Sequence, residues 1–208
     1  MPVTEVRHPL VQHKLSYLRD RTTPTVHFRK LVEEVTLLLT YEATKDFPTE
    51  QVDIETPLEV APMPRISGKK VAVCPILRAG LGMLDGVLDL ISGARVGFIG
   101  LYRDEATLQP VEYYVKLPQD VVERDVILLD PMLATGNSTA HAVRLVKQAG
   151  ATNVILIAII AAPEGIERVT SEFPDVRIVV AAVDRGLNDR GYIVPGLGDA
   201  GDRLYGTK

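Results

Sequence analysis

Apolar positions follow two regimes along the chain. Before residue 45 their spacing is helical. Residues 8–21 carry Leu10, Val11, Leu15 and Leu18, and residues 25–45 carry Phe28, Leu31, Val32, Val35, Leu38 and Leu39. Steps of three and four predict two amphipathic helices, with Thr22-Thr23-Pro24 breaking between them. Residues 47–65 hold four prolines and alternate Val52, Ile54, Leu58 and Val60. That pattern predicts extended structure bordering the core.

From residue 71 a different beat begins. Short apolar runs occur at 71–76, 96–101, 126–129, 154–162 and 176–183. Helical spacing separates them at 82–91, at 138–148 (closed by Gly150) and at 164–172. Residues 111–117 alternate and are expected to form a β-hairpin arm with the loop 104–110. Continuous apolar strands joined through helices predict an α/β fold, a mostly parallel sheet with helices on both faces. No internal repeat, low-complexity stretch or linker divides the chain, so residues 1–208 are expected to be one domain. The tail, 184–208, is rich in Gly and Asp with little periodicity.

Composition narrows the classes. A chain of 208 residues with 46% hydrophobic side chains is too apolar for disorder and long enough to bury a core without staples. One cysteine excludes a disulfide framework and multi-cysteine metal sites. It also suits a reducing, cytoplasmic setting. A net charge of −4 argues against broad nucleic-acid binding, which needs clustered Lys and Arg. Residues 1–7 lack an apolar targeting region, and the longest apolar run, 154–163, is about half a membrane span. The expectation is a cytoplasmic protein with no nucleic-acid or membrane partner.

In open parallel sheets, ligands sit beyond the carboxyl ends of the strands. Here those ends read Leu77-Arg78-Ala79-Gly80, Tyr102-Arg103-Asp104, Asp130 with the loop that follows, and Asp184-Arg185-Gly186. Two arginines, an acid and a Thr-Gly-Asn-Ser-Thr loop on one rim suit an anionic ligand carrying a sugar. The strongest element runs from Val126 to Ala140, a strand ending in an acid, a loop and a helix start. A helix N-terminus offers unpaired N–H groups and partial positive charge to a phosphate. Gly136 allows close approach, and Thr135, Ser138 and Thr139 add hydroxyls. The plainer alternative is that Asn137 or Ser138 caps the helix while Asp130 supports the turn. No Gly-Lys-Ser/Thr follows, so this is not a Walker loop.

The segment Val126-Ile-Leu-Leu-Asp-Pro-Met-Leu-Ala-Thr-Gly-Asn-Ser-Thr139 resembles the phosphoribosyl-diphosphate loop of the type I phosphoribosyltransferases. Its Asp-Pro-Met-Leu-Ala-Thr-Gly form resembles the uracil phosphoribosyltransferases in particular. His8-Pro-Leu-Val-Gln-His-Lys14, Pro75-Ile-Leu-Arg-Ala-Gly80 and Gly191-Tyr-Ile-Val-Pro-Gly-Leu-Gly-Asp-Ala-Gly-Asp-Arg203 agree, so the resemblance runs nearly end to end. It implies transfer of phosphoribosyl from 5-phospho-α-D-ribose 1-diphosphate to uracil, giving UMP and diphosphate, with magnesium carried by the substrate and no protein metal cage. One departure from the wider superfamily is that Pro131 stands where a second acid usually follows Asp130.

The resemblance also implies the site. Arg78, Arg103 and Asp130 are the catalytic candidates. Phosphoribosyl diphosphate would be bound by those three with Pro131, Met132, Leu133, Ala134, Thr135, Gly136, Asn137, Ser138 and Asp199, with Thr139 adding a hydroxyl to the phosphate. Uracil would meet backbone groups of Ile193, Gly198 and Ala200, together with Asp199, in a base-binding hood formed by 184–208. Uracil presents two acceptors flanking a donor, so a donor–acceptor–donor row complements it, while the exocyclic amine of cytosine would clash. Tyr192 or Ile193 would pack on the ring, and Asp202 and Arg203 would pair to hold the loop. The loop 104–110 would cover the site.

A homodimer or larger homo-oligomer and a GTP effector are further implications. Helices 8–45 are expected to pack a partner subunit, because their apolar faces have no other evident cover. Gly196-Leu-Gly-Asp-Ala-Gly201 matches the dinucleotide fingerprint in letters only, since no strand-to-helix unit follows. Cys74 reads as an inert core thiol, and His8, His13, His27 and His141 lack metal-ligand spacing. Two rivals stay open: an RNA-binding regulator on the same fold, and a purine-using transferase.

Overall fold

The chain begins with a short strand, β1 (Val3–Glu5), and the helices α1 (Pro9–Arg19) and α2 (Thr25–Ala43). This computed structural model describes residues 3–68, 71–103 and 110–207. Next come β2 (Thr49–Glu55), β3 (Val60–Ile66), β4 (Val71–Leu77), helix α3 (Leu84–Leu90), β5 (Arg95–Val96), β6 (Phe98–Arg103) and β7 (Pro110–Lys116). Strands β8 (Asp125–Leu129) and β9 (Met132–Leu133) lead into α4 (Asn137–Gln148), β10 (Val154–Ala161), α5 (Pro163–Glu172) and β11 (Arg177–Val183). The tail forms β12 (Gly186–Leu187), β13 (Ile193–Val194) and α6 (Ala200–Tyr205).

The main sheet runs β1-β11-β10-β8-β4-β6-β7, with β5 beside β4 and β9 beside β10. Its pairings are parallel except β6 with β7, the expected hairpin arm. All eight residues of β10 are buried, as a strand covered on both faces requires. Side chains alternate between two cores. Val71, Val73, Ile127, Leu129, Ile155 and Ile157 face α1, α2, α3 and α6. Ala72, Cys74, Val126, Leu128, Leu156 and Ala158 face α4 and α5. Burial pushes the Cys74 thiol up to about 12, which keeps it protonated at neutral pH.

Local chemistry explains the boundaries. In α1, Pro9 occupies the first turn and His8 Nδ1 accepts from the Leu10 N–H at 3.2 Å. The helix stops at Asp20, whose carboxylate takes the Thr22 N–H and hydroxyl at 2.8 and 2.7 Å. Beyond α4, Gly150 adopts φ +98° and donates to the Lys147 carbonyl.

Two expectations change. Residues of β2 and β3 pair only with each other among the described residues, and Leu58, Val60, Met63 and Ile66 are exposed. The segment is a projecting ribbon rather than a border of the core. The apolar faces of α1 and α2 are largely covered within the chain: Val11, Leu15, Leu18, Phe28, Val32, Val35 and Leu39 are buried and Leu31 and Leu38 half-buried, with Leu10 exposed. The premise that these faces lack a cover therefore fails. The tail, expected as a hood, forms a two-stranded turn and a short helix, with Leu204 buried against Gly82.

Candidate active site

Strand β8 delivers Asp130 to the carboxyl edge of the sheet, where it lies half-buried. Thr139 donates its hydroxyl to Asp130 Oδ2 at 2.9 Å, and the Met132 N–H reaches Oδ1 at 3.4 Å. Loss of solvation outweighs both contacts and pushes the carboxyl up to about 6. The Thr139 hydroxyl proton is thus directed at Asp130.

Gly136 begins α4 with φ +76°, and no side chain caps the helix. Capping by Asn137 or Ser138 is therefore not what this loop does. A Cβ at Gly136 would lie 2.7 Å from the Gly165 carbonyl, and a Cβ at Gly165 would lie 2.4 Å from the Ala134 carbonyl. The start of α5 therefore sets the position of the loop through backbone contact. N–H groups without a side-chain cap at a helix start are suited to an anion.

Arg78 is exposed and follows β4 across a cis peptide from Leu77. A 3₁₀ turn, Ala79–Met83, comes next. Gly80 is needed for packing, because a Cβ there would fall 2.3 Å from the Leu129 carbonyl. A cavity of about 330 Å³ is lined by Arg78, Asp130, Thr135, Gly136, Ser138 and Asp199, with Met132, Ala134 and Thr139 also at its wall. A neighbouring cavity of about 470 Å³ is lined by Tyr192, Gly198 and Asp199 together with Arg21 and Arg203. Asp199 borders both, and its carboxylate caps α6 by accepting from the Asp202 N–H at 3.0 Å.

Other expected residues lie elsewhere. Pro131 and Leu133 are buried and do not line the cavity. The Pro131 carbonyl accepts from Ile159 and Ile160, and that of Leu133 from Ala162. Asn137 does not line it either. Ile193 and Ala200 are buried at the base of the hood, with Gly198 exposed. The backbone of Arg103 ends β6 on the same edge as Arg78, and its side chain lies outside the described structure, as does the loop 104–109.

Sequence reasoning named Arg203 as a residue that holds the loop, by pairing with Asp202, and missed its carbonyl partners and the other groups that hold the hood. Arg19 pairs with buried Asp184, Arg29 donates to the Leu204 carbonyl at 2.5 Å, and the Tyr205 hydroxyl donates to the Arg78 carbonyl at 3.0 Å. Arg203 holds main-chain carbonyls of Leu18, Asp20 and Leu197 and stacks 4.2 Å above the Phe28 ring.

Among the described residues no group of three or more His, Cys, Asp or Glu gathers round a metal position, while Asp130 and Asp199 border the cavity. That donor set suits an ion arriving on an anionic substrate with most of its water retained. No helix among these residues is long and apolar enough to cross a membrane.

A family model described as uracil phosphoribosyltransferase matches residues 5–207. A uracil phosphoribosyltransferase of Clostridium perfringens is 60% identical over 206 residues, 99% of either chain. One from Bacillus cytotoxicus is 61% identical over 97% of this chain and 96% of its own. A solved protein structure from Aquifex aeolicus superposes with a TM-score of 0.93 at 41% identity, covering 98% of this chain and 97% of that one. The adenine phosphoribosyl transferase of Trypanosoma brucei, solved with AMP, pyrophosphate and ribose-5-phosphate, has a TM-score of 0.59 at 12% identity. It covers 91% of this chain and 87% of its own, and shows a shared fold alone.

Proposed function

Because the chain belongs to the uracil phosphoribosyltransferase family, we propose that its two adjoining cavities hold the two substrates of that reaction, the sugar phosphate in the cradle and uracil under the hood. The reaction transfers phosphoribosyl from 5-phospho-α-D-ribose 1-diphosphate to uracil and yields UMP and diphosphate, a pyrimidine salvage step. One observation carries the placement: Asp199 borders both the cavity of Arg78 and Asp130 and the cavity of Gly198. A base and a pentose bound in them would be neighbours.

The 5′-phosphate sits on the uncapped start of α4, where Thr135, Gly136 and Ser138 supply N–H and hydroxyl donors. Asp130 accepts from ribose hydroxyls and places negative charge beside a ring that becomes cationic as its C1 bond to diphosphate breaks. Arg78, with Arg103 at the end of the next strand, receives the departing diphosphate. When bound with the diphosphate, magnesium supplies charge neutralisation on the leaving group. Backbone groups near Ile193, Gly198 and Ala200 read the pyrimidine edge.

A homodimer or larger assembly belongs to the same reading. An isolated two-stranded ribbon is marginal in water, and β2–β3 exposes Leu58, Val60, Met63 and Ile66. A GTP effector and a cytoplasmic location are carried with it. The test is incubation of the chain with phosphoribosyl diphosphate, magnesium and, in turn, uracil, hypoxanthine, guanine and xanthine. UMP forms from uracil and no purine nucleotide appears; a purine product, or no UMP, overturns the reading.

A further inference from the structure

Two guanidinium groups grip consecutive carbonyls of the hood loop. Arg19 Nη1 donates to the Gly196 carbonyl at 2.8 Å, and Arg203 Nη1 donates to the Leu197 carbonyl at 2.8 Å. Each arginine is itself fixed. Arg19 forms a fork with Asp184, Nη1 to Oδ2 at 2.8 Å and Nη2 to Oδ1 at 2.5 Å. The Asp184 side chain is only 4% exposed. Its Oδ2 also accepts from the Gly196 N–H at 2.9 Å, so residue 196 is held at both its N–H and its C=O. Arg203 rests on Phe28 and donates to the carbonyls of Leu18 and Asp20 at the end of α1. Those carbonyls lie at a helix terminus, where they lack intrahelical partners.

A trans peptide is planar, with its C=O and N–H pointing opposite ways. The 197–198 peptide is trans. Fixing the Leu197 carbonyl therefore fixes the direction of the Gly198 N–H. Leu197 is buried and Gly198, at φ +79°, is exposed beside Tyr192 and Asp199. Gly196, at φ +66°, turns close against Ile193, where a Cβ would stand 2.1 Å from the Ile193 carbonyl, so no larger residue fits this turn.

We propose that Arg19, with Asp184, and Arg203 are specificity-determining positioning residues: by clamping the Gly196 and Leu197 carbonyls they aim the Gly198 N–H at the nucleobase. This rests on the reading that uracil occupies the hood. A fixed donor can reject the amine of cytosine, whereas a donor free to turn cannot.

The test measures KM for both substrates in Arg203→Lys and Arg19→Lys, which keep the charge and lose the fork. Uracil KM rises about tenfold in each, and the preference for uracil over cytosine falls. The KM for phosphoribosyl diphosphate and the thermal midpoint stay near wild type, the former within about twofold. Asp184→Asn preserves shape and the acceptor for Gly196, and raises uracil KM about threefold; it answers the question if the arginine variants fail to fold. Unmoved uracil KM in a folded variant, or a parallel rise in both KM values, overturns the inference. Wild type assayed alongside separates the failures. No UMP from wild type overturns the reading of the reaction, whereas normal wild-type turnover with unmoved variants overturns this inference alone.

Discussion

The cradle and the hood meet at Asp199 but are built from different forces. The cradle is contiguous: β8, its loop and α4 follow one another over residues 125–148. Its shape comes from backbone packing, with Gly136 and Gly165 leaving no room for a Cβ. The hood has two strands of two residues each and a helix of six. Contacts between residues far apart in sequence hold it: Arg19 and Arg29 reach its main-chain oxygens from α1 and α2, and its own Arg203 reaches the Leu18 carbonyl. The cradle should therefore be most sensitive to changes of charge at Asp130 and of backbone shape. The hood should be most sensitive to loss of guanidinium hydrogen bonds.

The harshest probe of this contrast is Asp130→Asn. It removes the charge proposed to face the ribose while leaving the cradle's shape intact. Turnover falls at least about a hundredfold, as measured by steady-state UMP formation. The thermal midpoint at pH 7.5 does not fall, because the ionised carboxylate is one that burial disfavours.

The pH dependence of wild type sharpens the same point. Its carboxyl sits at about 6 in the folded chain against 3.8 ordinarily, so the folded state holds the proton more tightly. The stability this confers is full below pH 4 and is lost as pH rises through about 6. Activity needs the carboxylate, so kcat/KM rises through that window, about tenfold per unit on the acid side. Opposite slopes for stability and activity, read by thermal melts and kinetics, are expected in wild type. Both components from this group vanish in Asp130→Asn.

Next in size is Gly136→Ala, which alters shape without charge. A left-handed backbone costs an alanine about 1–2 kcal/mol, and its Cβ would press on the Gly165 carbonyl at 2.7 Å. Melting drops, and the KM for phosphoribosyl diphosphate rises about tenfold while that for uracil moves less. An equal rise in both would show that cradle and hood deform together.

What the sequence disclosed follows the same division. Strands of five to eight mostly apolar residues and the helices between them were legible, because each keeps its pattern over enough positions. The three-residue β1 was not, since it is too short to show one. The β2–β3 ribbon misled because Val52, Ile54 and Val60 alternate as a half-buried strand would, yet among the described residues its two strands pair only with each other. In the cradle, contiguity placed Pro131 and Leu133 beside true cavity residues, although their carbonyls pair towards β10 and α5. Hood architecture was illegible for a physical reason. Its supports include long cations on α1 and α2, and no local pattern ties Arg19 to a glycine 177 residues away.

The smallest effect comes from the bond that crosses between the regions. Tyr205 on α6 donates its hydroxyl to the Arg78 carbonyl at 3.0 Å, and Arg78 also receives the Leu81 N–H at 3.1 Å. Tyr205→Phe deletes one of two donors on that carbonyl and leaves the ring packing, so the turn loosens without collapsing. A single neutral hydrogen bond at a partly exposed site is worth about 0.5–1 kcal/mol, which corresponds to about a threefold rise in the KM for phosphoribosyl diphosphate. The KM for uracil should hardly move, because the Gly198 peptide is clamped by Arg203 and not by Tyr205. If uracil KM rises as far as that of the sugar phosphate, α6 transmits strain from the Arg78 turn into the base-reading loop, and cradle and hood are one mechanical unit.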